Sequence, residues 1–199
     1  MDTVHRESVR ALVVVGASTG GPKALSDLFV HLPALGGVAC CIVQHMPAGF
    51  TANLAKRLND TTAWTVSEGR DGDILKPGSV YVAPGGLHMR VSVERNHLCL
   101  SVRKEEPVRG HQPSVDVLFH STACVPPHIP LVGVLLTGMG RDGAEGLSYI
   151  RKRGGFTVAE SQESAVIYGM PKAAVENGAA MVVEPVWKIP DVLEKHLRR

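Results

Sequence analysis

The chain has no surplus of charge, no membrane-length apolar run and no metal-binding spacing, and each absence narrows its chemistry. Its 21 basic and 19 acidic residues leave a formal charge of +2, too balanced for charge alone to imply a nucleic-acid partner. No apolar stretch approaches the roughly 20 residues of a membrane-spanning helix, so no membrane insertion is expected. Residues 1–10 are polar and charged, and no signal peptide is expected there. The four cysteines, Cys40, Cys41, Cys99 and Cys124, form no C-x-x-C pair. They read as reduced core thiols of a cytoplasmic protein. The nine histidines show neither H-x-x-x-H nor H-E-x-x-H spacing, so no metal is expected. The sequence also lacks internal repeats, low-complexity segments and linkers.

What is present suits one domain with a sizeable core: 199 residues, 44% of them hydrophobic, with 21 glycines for tight turns. The run 11–15 is β-branched and reads as a buried strand. Ala24, Leu25, Leu28, Phe29 and Leu32 recur at helical spacing until Pro33. A second apolar run at 38–43 is followed by helical spacing at Phe50, Leu54 and Leu58. This strand–helix repetition points to right-handed βαβ units and a parallel sheet. Trp64 and Val66 suggest a short strand, and 80–83 another. Alternation at Met89, Val91 and Val93, then at Leu98, Leu100 and Val102 after Arg95-Asn96, predicts an antiparallel hairpin with one solvated face. Residues 104–113 read as an exposed loop, with Ser114 as the cap of a helix carrying Val115, Leu118, Phe119 and Thr122. Strands are then expected at 131–136, 156–159 and 181–183. Helices are expected through Leu147 and Ile150 to Gly154-Gly155, near 173–175, and over 189–197.

The turn Gly16-Ala17-Ser18-Thr19-Gly20-Gly21-Pro22 joins the first strand to the first helix. Pro22 suits a first helical turn. Ser18 therefore sits between a strand end and a helix start, among free backbone N–H groups, as an oxygen nucleophile requires. The turn matches the G-x-S-x-G nucleophile pattern. It also comes close to a P-loop, but fails where the lysine should stand. A third reading is a tight turn without chemistry.

In a parallel sheet all strand ends of one polarity share an edge, and ligands bind there. Three loops that directly follow predicted buried strands carry a reactive group: Ser18, His45 and Asp142. A serine, an imidazole base and a carboxylate that orients the base form a nucleophilic triad. The order Ser, His, Asp differs from that of the α/β-hydrolase fold. His88 also follows a predicted strand and stays open as the base. Asp116 stays open in place of Asp142. His111 reads as solvated, and His5, His31, His97, His120, His128 and His196 as surface residues. Asp142 has a plainer reading as a helix N-terminal carboxylate.

Taken together, several segments resemble the catalytic domain of the chemotaxis protein-glutamate methylesterase (CheB) family. They are the Ser18 turn, Gln44-His45-Met46-Pro47-Ala48-Gly49-Phe50-Thr51, Ala83-Pro84-Gly85 with His88-Met89, and Pro113-Ser114-Val115-Asp116-Val117-Leu118-Phe119. Leu136-Thr137-Gly138-Met139-Gly140 with Asp142-Gly143, and Tyr168-Gly169-Met170-Pro171, complete the set in the family's order across nearly the whole chain.

The resemblance implies an α/β fold: a doubly wound, mostly parallel sheet with an antiparallel hairpin, in three α/β/α layers. It implies the triad Ser18, His45 and Asp142, with no cofactor or metal. It implies hydrolysis of glutamyl methyl esters on chemoreceptor cytoplasmic helices, releasing methanol, and in some members deamidation of receptor glutamines. The backbone N–H groups of Thr19 and Met139 are the expected oxyanion donors. Arg109 and Arg141 are candidates to steer acidic receptor surface, or simply a solvated face. Two positions depart from the family: Gln112 stands where Arg is usual and Glu160 where Gln is usual, both expected at the edge of the site. Residues 1–10 are expected to be a tail and 11–199 the catalytic domain, with no receiver domain in the chain. Activity is then expected to be constitutive, unless a receiver acts in trans. A serine esterase or amidase with another substrate, and a non-catalytic signalling module, are the competing classes.

Overall fold

The computed structural model describes residues 8–198, so His5 and most of the expected tail lie outside the described residues. Among the described residues nine strands form: β1 (Ala11–Ala17), β2 (Val38–Gln44), β3 (Thr65–Glu68), β4 (Ser79–Val82), β5 (His88–Glu94), β6 (His97–Arg103), β7 (Leu131–Leu135), β8 (Phe156–Glu160) and β9 (Val182–Glu184). Six α-helices accompany them in the same residues: α1 (Gly21–His31), α2 (Phe50–Thr61), α3 (Val115–Ser121), α4 (Ala144–Lys152), α5 (Met170–Glu176) and α6 (Ile189–Leu197). Seven strands make one sheet in the order β3-β4-β2-β1-β7-β8-β9. Its pairings are all parallel.

β1 and β2 are buried along their whole length, which is why their sequences show continuous apolar runs instead of alternation. Successive residues of β1 feed opposite cores. Val13 and Val15 pack with Leu25 and Leu28 of α1, Leu54 and Leu58 of α2 and Leu193 of α6. Leu12 and Val14 pack with Phe119 of α3, Leu147 of α4, Ala174 of α5 and the β5–β6 hairpin. The result is three α/β/α layers. The hairpin is a separate two-stranded sheet. Its turn places Arg95 at φ 48° and Asn96 at φ 65°, the two positive values that match a two-residue turn to strand twist.

β1 runs two residues past the expected strand. Gly16 and Ala17 lack a strand signature of their own, yet pair with Val43 and Gln44 of β2. A side chain at Gly16 would lie 2.2 Å from Val115 Cγ1, so α3 can pack over this strand end only if the residue is glycine. Cys40, Cys41 and Cys99 are buried, as expected of core thiols, whereas Cys124 is exposed. It is the last residue of a short 3-10 turn, Thr122–Cys124, that succeeds α3.

From β1 the chain winds through α1 toward β2. From β7 it winds through α4, on the other face, toward β8. The winding reverses between β1 and β7, and at such a switch point the loops part to leave a crevice at the carboxyl ends of the strands.

Candidate active site

Ser18, His45 and Asp142 all lie at that crevice. The His45 N–H donates to the Ala17 carbonyl at 3.1 Å, which continues the β1–β2 ladder past Gln44. The Ser18 N–H donates to the Thr137 carbonyl at 2.9 Å on the β7 side. Buried Gln44 ties the two loops together: its Nε2 donates to the carbonyls of Ser18 at 2.9 Å and His45 at 3.1 Å. Thr137 does the same on the other flank. Its hydroxyl donates to the Thr19 carbonyl at 2.9 Å and receives the Ile167 N–H at 2.9 Å.

His45 Nε2 lies 2.8 Å from Asp142 Oδ2. Asp142 is only 2% exposed, and it is held by the start of α3. Its Oδ1 accepts from Ser114 Oγ at 2.9 Å and the Asp116 N–H at 3.0 Å, and its Oδ2 accepts from the Val115 N–H at 2.7 Å. Burial alone would raise the Asp142 pKa. The hydrogen bonds from His45, Asp116 and Val115 outweigh burial and bring it down to about 2. An ionised Asp142 can only accept, so the neutral His45 ring carries its proton on Nε2. Nδ1 is then the nitrogen with a free lone pair. It is buried and without a hydrogen-bond partner among the described residues. The His–Asp arm is formed, while the Ser–His arm is open, as is common before substrate binds.

Neither the Thr19 nor the Met139 amide donates a backbone hydrogen bond among the described residues. Both flank the nucleophile's loop. A side chain on Gly138 would lie 2.8 Å from Ser18 Cβ, so the β7–α4 loop passes directly against Ser18. Phe50 at the start of α2, and Met139, Val166 and Ile167 on the loops, are exposed at this edge.

The structure separates the alternatives the sequence left open. His88 is fully buried, with Nε2 donating to the Glu106 carbonyl at 3.1 Å and Nδ1 accepting from the Ser114 N–H at 3.3 Å. Both ring nitrogens are spent on fixing loops. Asp116 contacts no histidine of the crevice: it accepts from the Gly146 N–H at 2.7 Å and faces Arg109 at 3.6 Å. Burial raises its pKa, against the pull of the Gly146 hydrogen bond. Arg109, read from sequence as a steering charge or simply a solvated face, also donates to both oxygens of Glu145 at 2.9 and 2.8 Å. Glu160 is not at the edge of the site. It is 1% exposed, beneath the loop, accepting from the Thr137 N–H at 2.7 Å and Ser164 Oγ at 2.7 Å. The Gln112 side chain closes its own loop by donating to the Glu105 carbonyl.

His111 was expected to be solvated. Instead its ring stacks on that of His45, with centroids 4.0 Å apart and planes 6° from parallel. His111 is a site residue outside the recognised motifs, because a polar residue in a loop has no periodicity to reveal what it touches; Gln44 and Thr137 lie inside motifs, but their cross-loop hydrogen bonds show only in the fold. Among the described residues, no group of three or more His, Cys, Asp or Glu side chains could hold a metal ion. A broad cleft lined by Lys56, Glu68, Tyr81 and Leu98 among others contains none of Ser18, His45 and Asp142.

The family model for the CheB methylesterase matches residues 13–193. The chain belongs to the CheB methylesterase family. The crystal structure of the Thermotoga maritima CheB methylesterase catalytic domain superposes with a TM-score of 0.88 at 39% identity, covering 92% of this chain and 96% of that one. A Symbiobacterium thermophilum relative, a protein-glutamate methylesterase/protein-glutamine glutaminase, is 47% identical over 186 residues, 94% of this chain and 50% of its own length. A Halalkalibacterium halodurans relative of the same name is 43% identical over 190 residues, 96% of this chain and 55% of its own. The chain thus spans about half the length of the curated relatives it matches. The CheB fold seen here is the doubly wound sheet with a hairpin that the sequence implies. Among the described residues, no helix is long and apolar enough to cross a membrane.

Proposed function

We propose that this chain hydrolyses glutamate γ-methyl esters on chemoreceptor cytoplasmic helices, with Ser18, His45 and Asp142 as its triad and residues 11–199 as the catalytic unit. The observation that carries the reading is the His45–Asp142 pair at 2.8 Å on the strand edge that presents Ser18, in a chain of this family. Ser18 Oγ attacks the ester carbonyl carbon and passes its proton to His45 Nδ1. The oxyanion is held by the Thr19 and Met139 N–H groups. On collapse the C–OCH3 bond breaks, and the leaving oxygen takes the Nδ1 proton to depart as methanol. Water then attacks the acyl-serine, with Nδ1 again as base, and leaves glutamate and free Ser18. Deamidation of glutamine follows the same steps with ammonia leaving, in line with the double name of the relatives.

The site lies on loops at an open edge with exposed Phe50, Met139 and Val166, which suits a substrate presented on a protein surface. The protein works in the cytoplasm, where receptor helices are reached. The test is methanol release from methylated receptor membranes by wild type and Ser18→Ala. Release by wild type that vanishes in the variant is expected; equal release by both would place the nucleophile elsewhere.

A further inference from the structure

We propose that His111 is a positioning residue for this reaction: its ring packs face to face on His45 and holds that imidazole edge-on to Asp142 with Nδ1 free to take the Ser18 proton. The inference rests on the reading of His45 as the base. His45 has one polar tether, its Nε2 contact to Asp142, and a single hydrogen bond leaves a ring free to tilt about it. The stacked face of His111 at 4.0 Å and 6° removes that freedom, and it covers a ring whose side chain is only 10% exposed.

The loop that delivers His111 is built for the purpose. Val108 and His111 exchange both backbone hydrogen bonds, at 3.0 and 2.9 Å, which closes a two-residue turn over Arg109 and Gly110. Both turn residues have positive φ, 50° and 81°. Glycine adopts such values freely, but arginine does so only when its surroundings impose them. Here the Arg109 side chain is clamped between Glu145 of α4 and Asp116 of α3. The following residue is anchored too, since the Gln112 carbonyl accepts from the Gly86 N–H at 3.1 Å. The turn is therefore fixed to the same two helices that flank Asp142.

Charge favours the pairing as well. The ionisable groups facing His111 are His45 and Asp142, while Arg109 is turned away into its ion pairs. Burial lowers the His111 pKa, positive charge on His45 lowers it further, and Asp142 opposes both. At neutral pH His111 is thus an uncharged π-face. When His45 takes the serine proton, the resulting imidazolium lies over that face, a favourable arrangement for a cation. A solvated side chain would gain nothing from the contact.

The test uses the intact chain with two readouts. Acylation of Ser18 by a fluorophosphonate needs no receptor, and methanol release from methylated receptor membranes reports the full reaction. His111→Ala, folded by circular dichroism, is expected to lose about three- to tenfold in acylation rate and in kcat, with KM unchanged, the range typical of an aromatic pair. His111→Phe, which keeps a planar ring, is expected to recover most of that loss, whereas His111→Gln is not. By NMR, the His111 ring is expected to titrate at higher pH in His45→Gln, where the neighbouring positive charge is gone. Wild-type acylation in His111→Ala, no recovery in His111→Phe, or an unmoved His111 titration would each overturn the inference. Fluorophosphonate labelling without methanol release would overturn the substrate assigned above and leave the His111 comparison intact.

Discussion

Replacing Asp142 by Asn keeps the side chain's shape and removes its charge, and the four donors around it make the consequence calculable. Oδ1 accepts from Ser114 Oγ and the Asp116 N–H, while Oδ2 accepts from the Val115 N–H and His45 Nε2. An amide must turn its NH2 toward one of these pairs. Facing the first, it meets the Asp116 N–H donor to donor. Facing the second, it meets the Val115 N–H and drives His45 into the tautomer with its proton on Nδ1, where it cannot act as the base. One orphaned buried N–H costs about 1–3 kcal/mol. A carboxyl that titrates at about 2 instead of 3.8 adds on the order of 2 kcal/mol of preference for the ionised state. In the second orientation catalysis suffers more, because a triad whose imidazole holds the wrong tautomer loses about 10⁴-fold in turnover, or roughly 5 kcal/mol of barrier.

The assay is fluorophosphonate acylation of Asp142→Asn beside wild type, at matched folded fraction, with melting temperature recorded from pH 2 to 7. The native Asp142 pKa is depressed, so its contribution to stability is present above the unfolded pKa and lost as pH falls through the folded one. The gap in melting temperature between the two proteins should be full at pH 7 and close between pH 4 and about 2. An acylation rate within tenfold of wild type would refute the tautomer argument. A pH-independent gap would refute the electrostatic one.

Two further substitutions probe the shell around the site. Burial is the first cause of the raised Glu160 pKa, partly offset by the hydrogen bonds from Ser164 and Thr137, with Asp27 adding to the rise. The stability its neutral form contributes is present below the unfolded pKa and lost as pH rises through the folded value. Glu160→Gln should therefore melt higher than wild type at pH 7 and equal it near pH 4; calorimetry showing no such trend would contradict the burial argument. A Cβ on Gly85 would lie 2.4 Å from Pro47 backbone atoms and 2.6 Å from the Ala48 N, where no flexible side chain can yield. Gly85→Ala should cost about 2 kcal/mol in denaturant unfolding. It should also slow Ser18 acylation more than tenfold by shifting the loop that carries His45, and wild-type behaviour in both assays would show that the loop tolerates the shift.

The order of elements, the parallel sheet with its hairpin, and the loops that carry Ser18, His45 and Asp142 were legible in the sequence. Those features are written locally. Buried strands demand unbroken apolar runs, helices show their period, and glycines mark the turns where backbone must pass close. Which polar side chain meets which is settled by the fold alone. His45 and Asp142 are 97 positions apart, and in the sequence His88 stays open beside His45 as the base. Burial of both ring nitrogens removed His88, the Gly146 and Arg109 contacts occupied Asp116, and a clamped turn brought His111 onto His45. The folded chain also put Glu160 beneath the crevice instead of at its edge. Polar contacts of this kind depend on the register between elements distant in sequence, and a strand or helix pattern carries no record of that register.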